Sequence, residues 1–201
     1  MPLAEEADVI IPLGAWVMRE AARLAKQLQN GEASLTVAFN VAAPQFADPA
    51  FLDRLDMALD ETGANPANLE MEITESVAIA DPAKAKRLLS EVRARGLSIA
   101  LDDFGTGYSS LTHLREFPVD VVKIDRSFIT TLPEAEESAL IVGAVIQLSH
   151  RLGSRVQAEG VETEAQRQWL LGEGCDLAQG FLISSPLELS LLHEFLAGAV
   201  A

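Results

Sequence analysis

The sequence predicts an α/β protein built around a parallel sheet, and two observations predict it. From about residue 34 to the C-terminus, short apolar runs alternate with stretches of helical periodicity. The segments between successive runs are long enough to hold a helix, as a right-handed crossover between parallel strands requires. An open doubly wound sheet and a (β/α) barrel both fit this pattern. No glycine-rich phosphate loop follows the first strand, which weakens a dinucleotide-binding reading.

The elements follow in order. Leu13, Trp16, Val17, Ala21, Leu24 and Leu28 recur at helical spacing, and Gly31 follows as a stop. Strands are expected over residues 34–41, 69–74, 97–103, 119–125, 155–159 and 177–183, each short and mostly apolar, as strands buried on both faces should be. Asp48-Pro49 reads as an N-cap and first helical residue, with Phe51, Leu52, Leu55 and Leu59 on one face and Gly63 beyond. Asp81-Pro82 repeats the device, with Ala85, Leu88, Leu89 and Val92 facing inward and Gly96 ending the helix. Leu140, Val142, Val145, Ile146 and Leu152 mark another helix closed by Gly153. Thr163 and Gln166 form a capping box before the Trp169-Leu170 helix, and a last helix runs over residues 189–196.

Composition narrows the function. The 201 residues, 49% hydrophobic, suffice for one core and are read as one domain over 1–201. The net charge of −15 argues against binding DNA or RNA, which calls for a basic footprint. No apolar run approaches a membrane span and no signal peptide is recognisable, so a cytoplasmic protein is expected. Cys175 is the single cysteine, read as a small buried side chain; no cysteine–histidine cluster offers a zinc site.

The strand ends carry the chemistry. The first expected strand has Asn40, the second Glu72 followed by Glu75, and the third ends in Asp102-Asp103. The fourth carries Lys123 and Asp125, the fifth ends in Glu159, and the sixth carries Gln179. Parallel strands present these ends on one face, which in barrels is the catalytic face. Carboxylates and an amide oxygen are hard ligands suited to Mg²⁺, Mn²⁺ or Ca²⁺. Several converging carboxylates repel one another unless cations join them. Two cations roughly 3.5–4 Å apart can activate a water for attack on phosphorus, and a nearby lysine can neutralise developing charge. The pattern therefore points to metal-assisted phosphoester hydrolysis. Asp103-Phe104-Gly105 also matches the metal-binding triplet of protein kinases, but without the other kinase motifs it is read as chance.

Five motifs occur in a fixed order: Glu72-Ile73-Thr74-Glu75-Ser76; Asp102-Asp103-Phe104-Gly105-Thr106-Gly107-Tyr108-Ser109-Ser110-Leu111; Lys123-Ile124-Asp125-Arg126-Ser127-Phe128; Ala158-Glu159-Gly160-Val161-Glu162-Thr163; and Gln179-Gly180. Together they closely resemble the EAL domain, from Pro2-Leu3-Ala4-Glu5-Glu6 onward. The resemblance implies a TIM-like barrel that hydrolyses cyclic di-GMP to linear pGpG with Mg²⁺ or Mn²⁺, with Ca²⁺ expected to inhibit. It implies that Asn40, Glu72 and Asp102 hold one metal, with Asp102 bridging to a second that Asp103 and Glu159 approach. The resemblance further implies that Glu159 doubles as general base, that Lys123 positions the water and that Gln179 supports the site. Glu75 steadies the loop after Asp102-Asp103, a loop tied in the family to dimerisation, so a homodimer or other oligomer is expected. For Glu75 a plain helix N-terminal charge is the alternative. His113 and His150 match no ligand and are read as surface or packing residues.

Two departures accompany the resemblance. The family's first two strands, one carrying the Glu-Ala-Leu sequence and a further metal-ligand glutamate, have no counterpart, and a TIM barrel usually needs ~250 residues. The expected fold is therefore an incomplete barrel with its first two strands missing and two open edges. Three explanations remain open: a fragment of an ordinary phosphodiesterase, a degenerate enzyme, or an inactive EAL-like module that binds cyclic di-GMP or a protein partner. The second departure follows Asn40, where the family's serine and arginine are replaced by Ala42 and Pro44, which weakens the hydrogen bonding expected around Asn40.

Overall fold

The computed structural model describes residues 9–29, 35–105 and 115–199. The segments carrying Pro2–Glu6, Gly31, Ser34, His113 and the Thr106–Leu111 part of the second motif lie outside the described residues. The described residues open with α1 (Ile10–Leu28) and β1 (Val37–Asn40), then α2 (Ala43–Ala47), α3 (Phe51–Thr62), β2 (Leu69–Thr74), α4 (Glu75–Ala80) and α5 (Pro82–Ala94). They continue through β3 (Ser98–Phe104), β4 (Val121–Ile124), α6 (Arg126–Ile129), α7 (Glu136–Leu152), β5 (Arg155–Glu159), α8 (Glu164–Gly172), β6 (Leu177–Gln179) and α9 (Leu189–Ala199).

The six strands are all parallel and lie in the order β1-β2-β3-β4-β5-β6. This order separates the two architectures that the sequence left open. A doubly wound sheet reverses direction at a switch point, whereas here each strand is added on the same side as the one before, as in a (β/α) barrel. Among the described residues β1 and β6 each have one strand neighbour, so the sheet is an unclosed, six-stranded portion of such a barrel.

Register divides the sheet into two chemically different faces. In a parallel ladder, paired residues project to the same side and successive residues alternate. One face carries Phe39, Met71, Ile73, Ile99, Leu101, Val122, Ile124 and Val156, buried beneath the helices. Two hydrophobic clusters form there, one between β1–β4 and α1, α3 and α5, the other around β4, β5, α7 and α8. The opposite face carries Asn40, Glu72, Asp102, Lys123, Gln157, Glu159 and Gln179. The apolar face supplies the folding energy, and the polar face is the side a barrel encloses.

Helix boundaries follow local chemistry, with two corrections. Asp81 caps α5 as expected, accepting the Lys84 N–H at 3.0 Å. Thr163 and Gln166 form the predicted reciprocal box at the start of α8. Asp48 does not cap α3, which begins at Phe51. Its carboxylate instead accepts the Ala50 N–H at 3.0 Å and pairs with Arg54, so Pro49 and Ala50 form the turn into the helix. The last strand is three residues long, ending at Gln179 rather than at 183. Gly180 presses on the backbone of Val161, where an added Cβ would stand 2.1 Å from the Val161 carbonyl oxygen. The Leu182 N–H then donates to that same oxygen, turning the chain out of the sheet.

One sequence expectation fails for a reason that matters later. Leu13 and Trp16 share the helical stripe of α1, yet they are 40% and 56% exposed. The side of α1 that is buried is lined by Met18, Ala21, Ala22 and Ala25. Leu13 and Trp16 instead line a groove of about 670 Å³ beside β1, whose lining also includes Leu189 at the start of α9.

Candidate active site

The site begins with strand alternation. Leu69-Glu70-Met71-Glu72-Ile73-Thr74 sends Leu69, Met71 and Ile73 into the apolar core and Glu70, Glu72 and Thr74 to the polar face. Cα pairing sets Asn40 beside Glu72, Thr74 beside Asp102, Lys123 beside Gln157, and Glu159 beside Gln179. Six strands thus deliver their functional groups to one surface.

Lys123 stands at its centre. Its side chain is 4% exposed, and its ammonium Nζ lies 2.9 Å from Glu72 Oε1, 2.9 Å from Asp102 Oδ1 and 2.7 Å from Glu159 Oε1. An ammonium has three hydrogens, and three carboxylates from three different strands surround it. Burial alone would lower the Lys123 pKa, but its hydrogen bonds to Glu159, Glu72 and Asp102 outweigh burial and hold it above the ordinary lysine range. Burial pushes the carboxyls of Glu72 and Glu159 above their ordinary values despite this lysine, and the neighbouring acids add to the rise.

Asp103 joins the cluster through an irregularity. From Leu101 to Phe104 β3 advances three residues while β4 advances two, from Val122 to Ile124. The extra residue is a bulge, and Asp103 sits in it with φ at 55°. Strict alternation would send Asp102 and Asp103 to opposite faces. The bulge and the left-handed turn, which aspartate tolerates better than most residues, bring both to one side. Asp102, Asp103 and Glu159 each present an oxygen within 4.8 Å of the others. Burial raises the Asp103 pKa, with Asp102 and Asp125 contributing. Phe104 then returns to the apolar face, 4% exposed.

The remaining predicted residues have different places. Asn40 lies on the polar face next to Glu72 in register, exposed on the free-edge strand. Glu75 lies in the first turn of α4, the helix N-terminal place that its alternative reading expects, and is buried there. The loop it was expected to steady, residues 106–114, lies outside the described residues. Gln179 accepts a hydrogen bond at 2.9 Å from Gln157. His150 lies away from the cluster, its Nε2 2.7 Å from Asp176.

Sequence reasoning missed Glu70 and Gln157. Glu70 is buried one step below Glu72 and accepts the Ser98 hydroxyl at 2.9 Å. Period-two alternation was the signal for both, since Glu70 shares a face with Glu72, and Gln157 with Glu159.

The donor set fits divalent cations. One ammonium faces the carboxylates of Glu72, Asp102 and Glu159, with Asp103 beside the last two, and all four are partly or wholly withdrawn from water. Hard oxygen donors with excess negative charge are what Mg²⁺ or Mn²⁺ select.

Comparison with known proteins agrees with this geometry. The EAL domain family model matches residues 1–186. The bifunctional diguanylate cyclase/cyclic di-GMP phosphodiesterase MucR of Pseudomonas aeruginosa is 41% identical over 188 residues, covering 93% of this chain and 27% of that protein. The cyclic di-GMP phosphodiesterase NbdA of the same organism is 40% identical over 195 residues, covering 96% of this chain and 25% of that protein. The chain thus spans about a quarter of the length of the curated relatives it matches. A structure of the PaMucR phosphodiesterase in complex with c-di-GMP superposes with a TM-score of 0.90 at 41% identity, over 95% of this chain and 78% of that one. The EAL domain of Mycobacterium smegmatis DcpA gives 0.87 at 37% identity, over 94% and 86%. The singly wound sheet, the carboxylates converging on a buried lysine and these matches lead to one conclusion: the chain belongs to the EAL domain family.

Proposed function

We propose that this chain carries the catalytic face of a cyclic di-GMP phosphodiesterase, which adds water to one phosphodiester of the ring and releases linear pGpG. The observation that carries the reading is the convergence of Glu72, Asp102 and Glu159 around Lys123 on the polar face of the sheet, with Asp103 beside Asp102 and Glu159. Two named phosphodiesterase relatives and a c-di-GMP-bound neighbour support the substrate class.

In this reading Asn40, Glu72 and Asp102 would hold one Mg²⁺ or Mn²⁺, and Asp102, Asp103 and Glu159 would hold a second. When bound, such ions supply positive charge at the phosphate and lower the pKa of water to near neutrality. The protein's own groups do the rest. Glu159, with its basicity raised by burial, takes the proton of the attacking water. Lys123 keeps Glu72, Asp102 and Glu159 at fixed distances and lends charge to the developing oxyanion. Gln179 supports the nucleotide from the rim.

We also propose that two further strands complete the barrel. The single strand neighbour that β1 and β6 each have among the described residues, and the apolar groove beside β1, support this. Incubating the purified chain with cyclic di-GMP and Mn²⁺ should yield pGpG, and Asp102→Ala should not. Absence of turnover, even after fusion to the two N-terminal strands of an EAL domain, would defeat the catalytic reading. A second reading, a binding module without turnover, is favoured by the exposure of Asn40 on an edge strand. Calorimetry with cyclic di-GMP in Ca²⁺ distinguishes it, since binding without hydrolysis in Mn²⁺ is its signature.

A further inference from the structure

We propose that Gln157 is a positioning residue that fixes which end of the Gln179 amide meets the nucleotide, a role that rests on the phosphodiesterase reading above. Gln157 lies on the polar face of β5, half-buried, level with Lys123 on one side and one step below Glu159. Gln179 ends β6 beside Glu159. The Gln157 NH₂ group donates to the Gln179 carbonyl oxygen at 2.9 Å.

A glutamine amide has one accepting end and one donating end. With its oxygen engaged by Gln157, Gln179 has its NH₂ group left to offer a third partner. The chemistry of the site makes that choice consequential. Asp102, Asp103 and Glu159 already crowd the neighbourhood with acceptors, and a phosphodiester brings only further acceptors. A donor from Gln179 is attractive to it, whereas an exposed amide oxygen would be repulsive.

The test is a double-mutant cycle with a spectroscopic arm. Gln157→Glu offers only acceptors and should reverse the Gln179 amide; Gln157→Leu removes the hydrogen bond without adding charge. Binding of cyclic di-GMP in Ca²⁺ should weaken about tenfold in Gln157→Glu and less in Gln157→Leu. Neither change should alter binding once Gln179 is alanine. The side-chain NH₂ resonance of Gln179, assigned by its loss in Gln179→Ala, should shift on nucleotide addition in the wild type. In Gln157→Glu it should already be shifted before addition. Equal weakening with and without Gln179 would overturn the proposal, because it would mean a general charge effect. An unmoved Gln179 resonance in ligand-free Gln157→Glu would overturn it as well. Failure of the wild type to bind cyclic di-GMP would defeat the functional reading instead, and the ligand-free spectra would still decide the amide lock.

Discussion

The middle of the sheet and its two edges are built from the same strand–helix unit, yet they differ sharply. In β2 and β4, with a neighbour on each side, almost every residue is buried, including Glu70, Glu72 and Lys123. In β6, with one neighbour among the described residues, all three residues are exposed, and β1 leaves Asn40 exposed and a groove beside it. Alternation decides which face a side chain takes, but neighbouring strands decide whether it is withdrawn from water. The site straddles this divide. Its charged centre is anchored in the middle, and its polar amides, Asn40 and Gln179, come from the edges.

The comparison is broken most severely at the centre. Lys123→Ala leaves three carboxylates without their shared counter-charge, and should cost about 3–5 kcal/mol in denaturant unfolding without metal. A loss under 1 kcal/mol would mean the cluster is far wetter than its burial implies. Core truncation sharpens the same contrast. Leu89 and Ile146 are fully buried beneath the sheet, and replacing either by alanine should cost about 2–5 kcal/mol. Trp16→Ala, on the groove beside β1, should stay within about 0.5 kcal/mol for the isolated chain. If Trp16→Ala costs as much as Leu89→Ala, the groove is filled in solution.

A pH titration reads the centre alone. Glu72, Asp103 and Glu159 have pKa values raised in the folded state, so the stability they contribute is present at low pH and is lost as pH rises through those raised values. Protons and cations compete for the same oxygens. Thermal shifts caused by Mn²⁺ should therefore grow as pH climbs from the ordinary carboxylate range toward neutrality, then level off. A shift independent of pH would place the cation elsewhere. The smallest effect belongs to the edge. Ala42 precedes α2 without a capping side chain, and its N–H is held only by Gln45 Oε1 at 3.2 Å. Ala42→Ser should restore the cap and add about 1 kcal/mol. No gain would show that Gln45 already satisfies this end.

Legibility in the sequence follows the same divide. The bounds of β2 and β5 coincide with their expected ranges, because apolar–polar alternation and real burial agree there. The edge misled: the apolar Phe181 and Ile183 lengthened the expected last strand, yet they are 69% and 45% exposed after the turn at Gly180. Leu13 and Trp16 misled in the same way. At the site, strand-end polarity found Glu72, Asp102, Lys123 and Glu159, which meet as expected. The means by which Asp103 joins them was hidden. A bulge of one residue leaves no mark in composition or periodicity, and only the ladder shows that β3 gains a residue on β4. Glu70 and Gln157 are legible through alternation alone, but they sit one layer below the strand ends.

The central claim is that these converging carboxylates form a cradle for divalent ions. Anomalous diffraction from crystals of the chain grown with Mn²⁺ tests it most directly. The account predicts density bounded by Asp102, Asp103 and Glu159, abolished in Asp102→Ala. Manganese bound only at surface acids, with the Lys123 ion pairs unchanged and nothing beside Asp102, would contradict it.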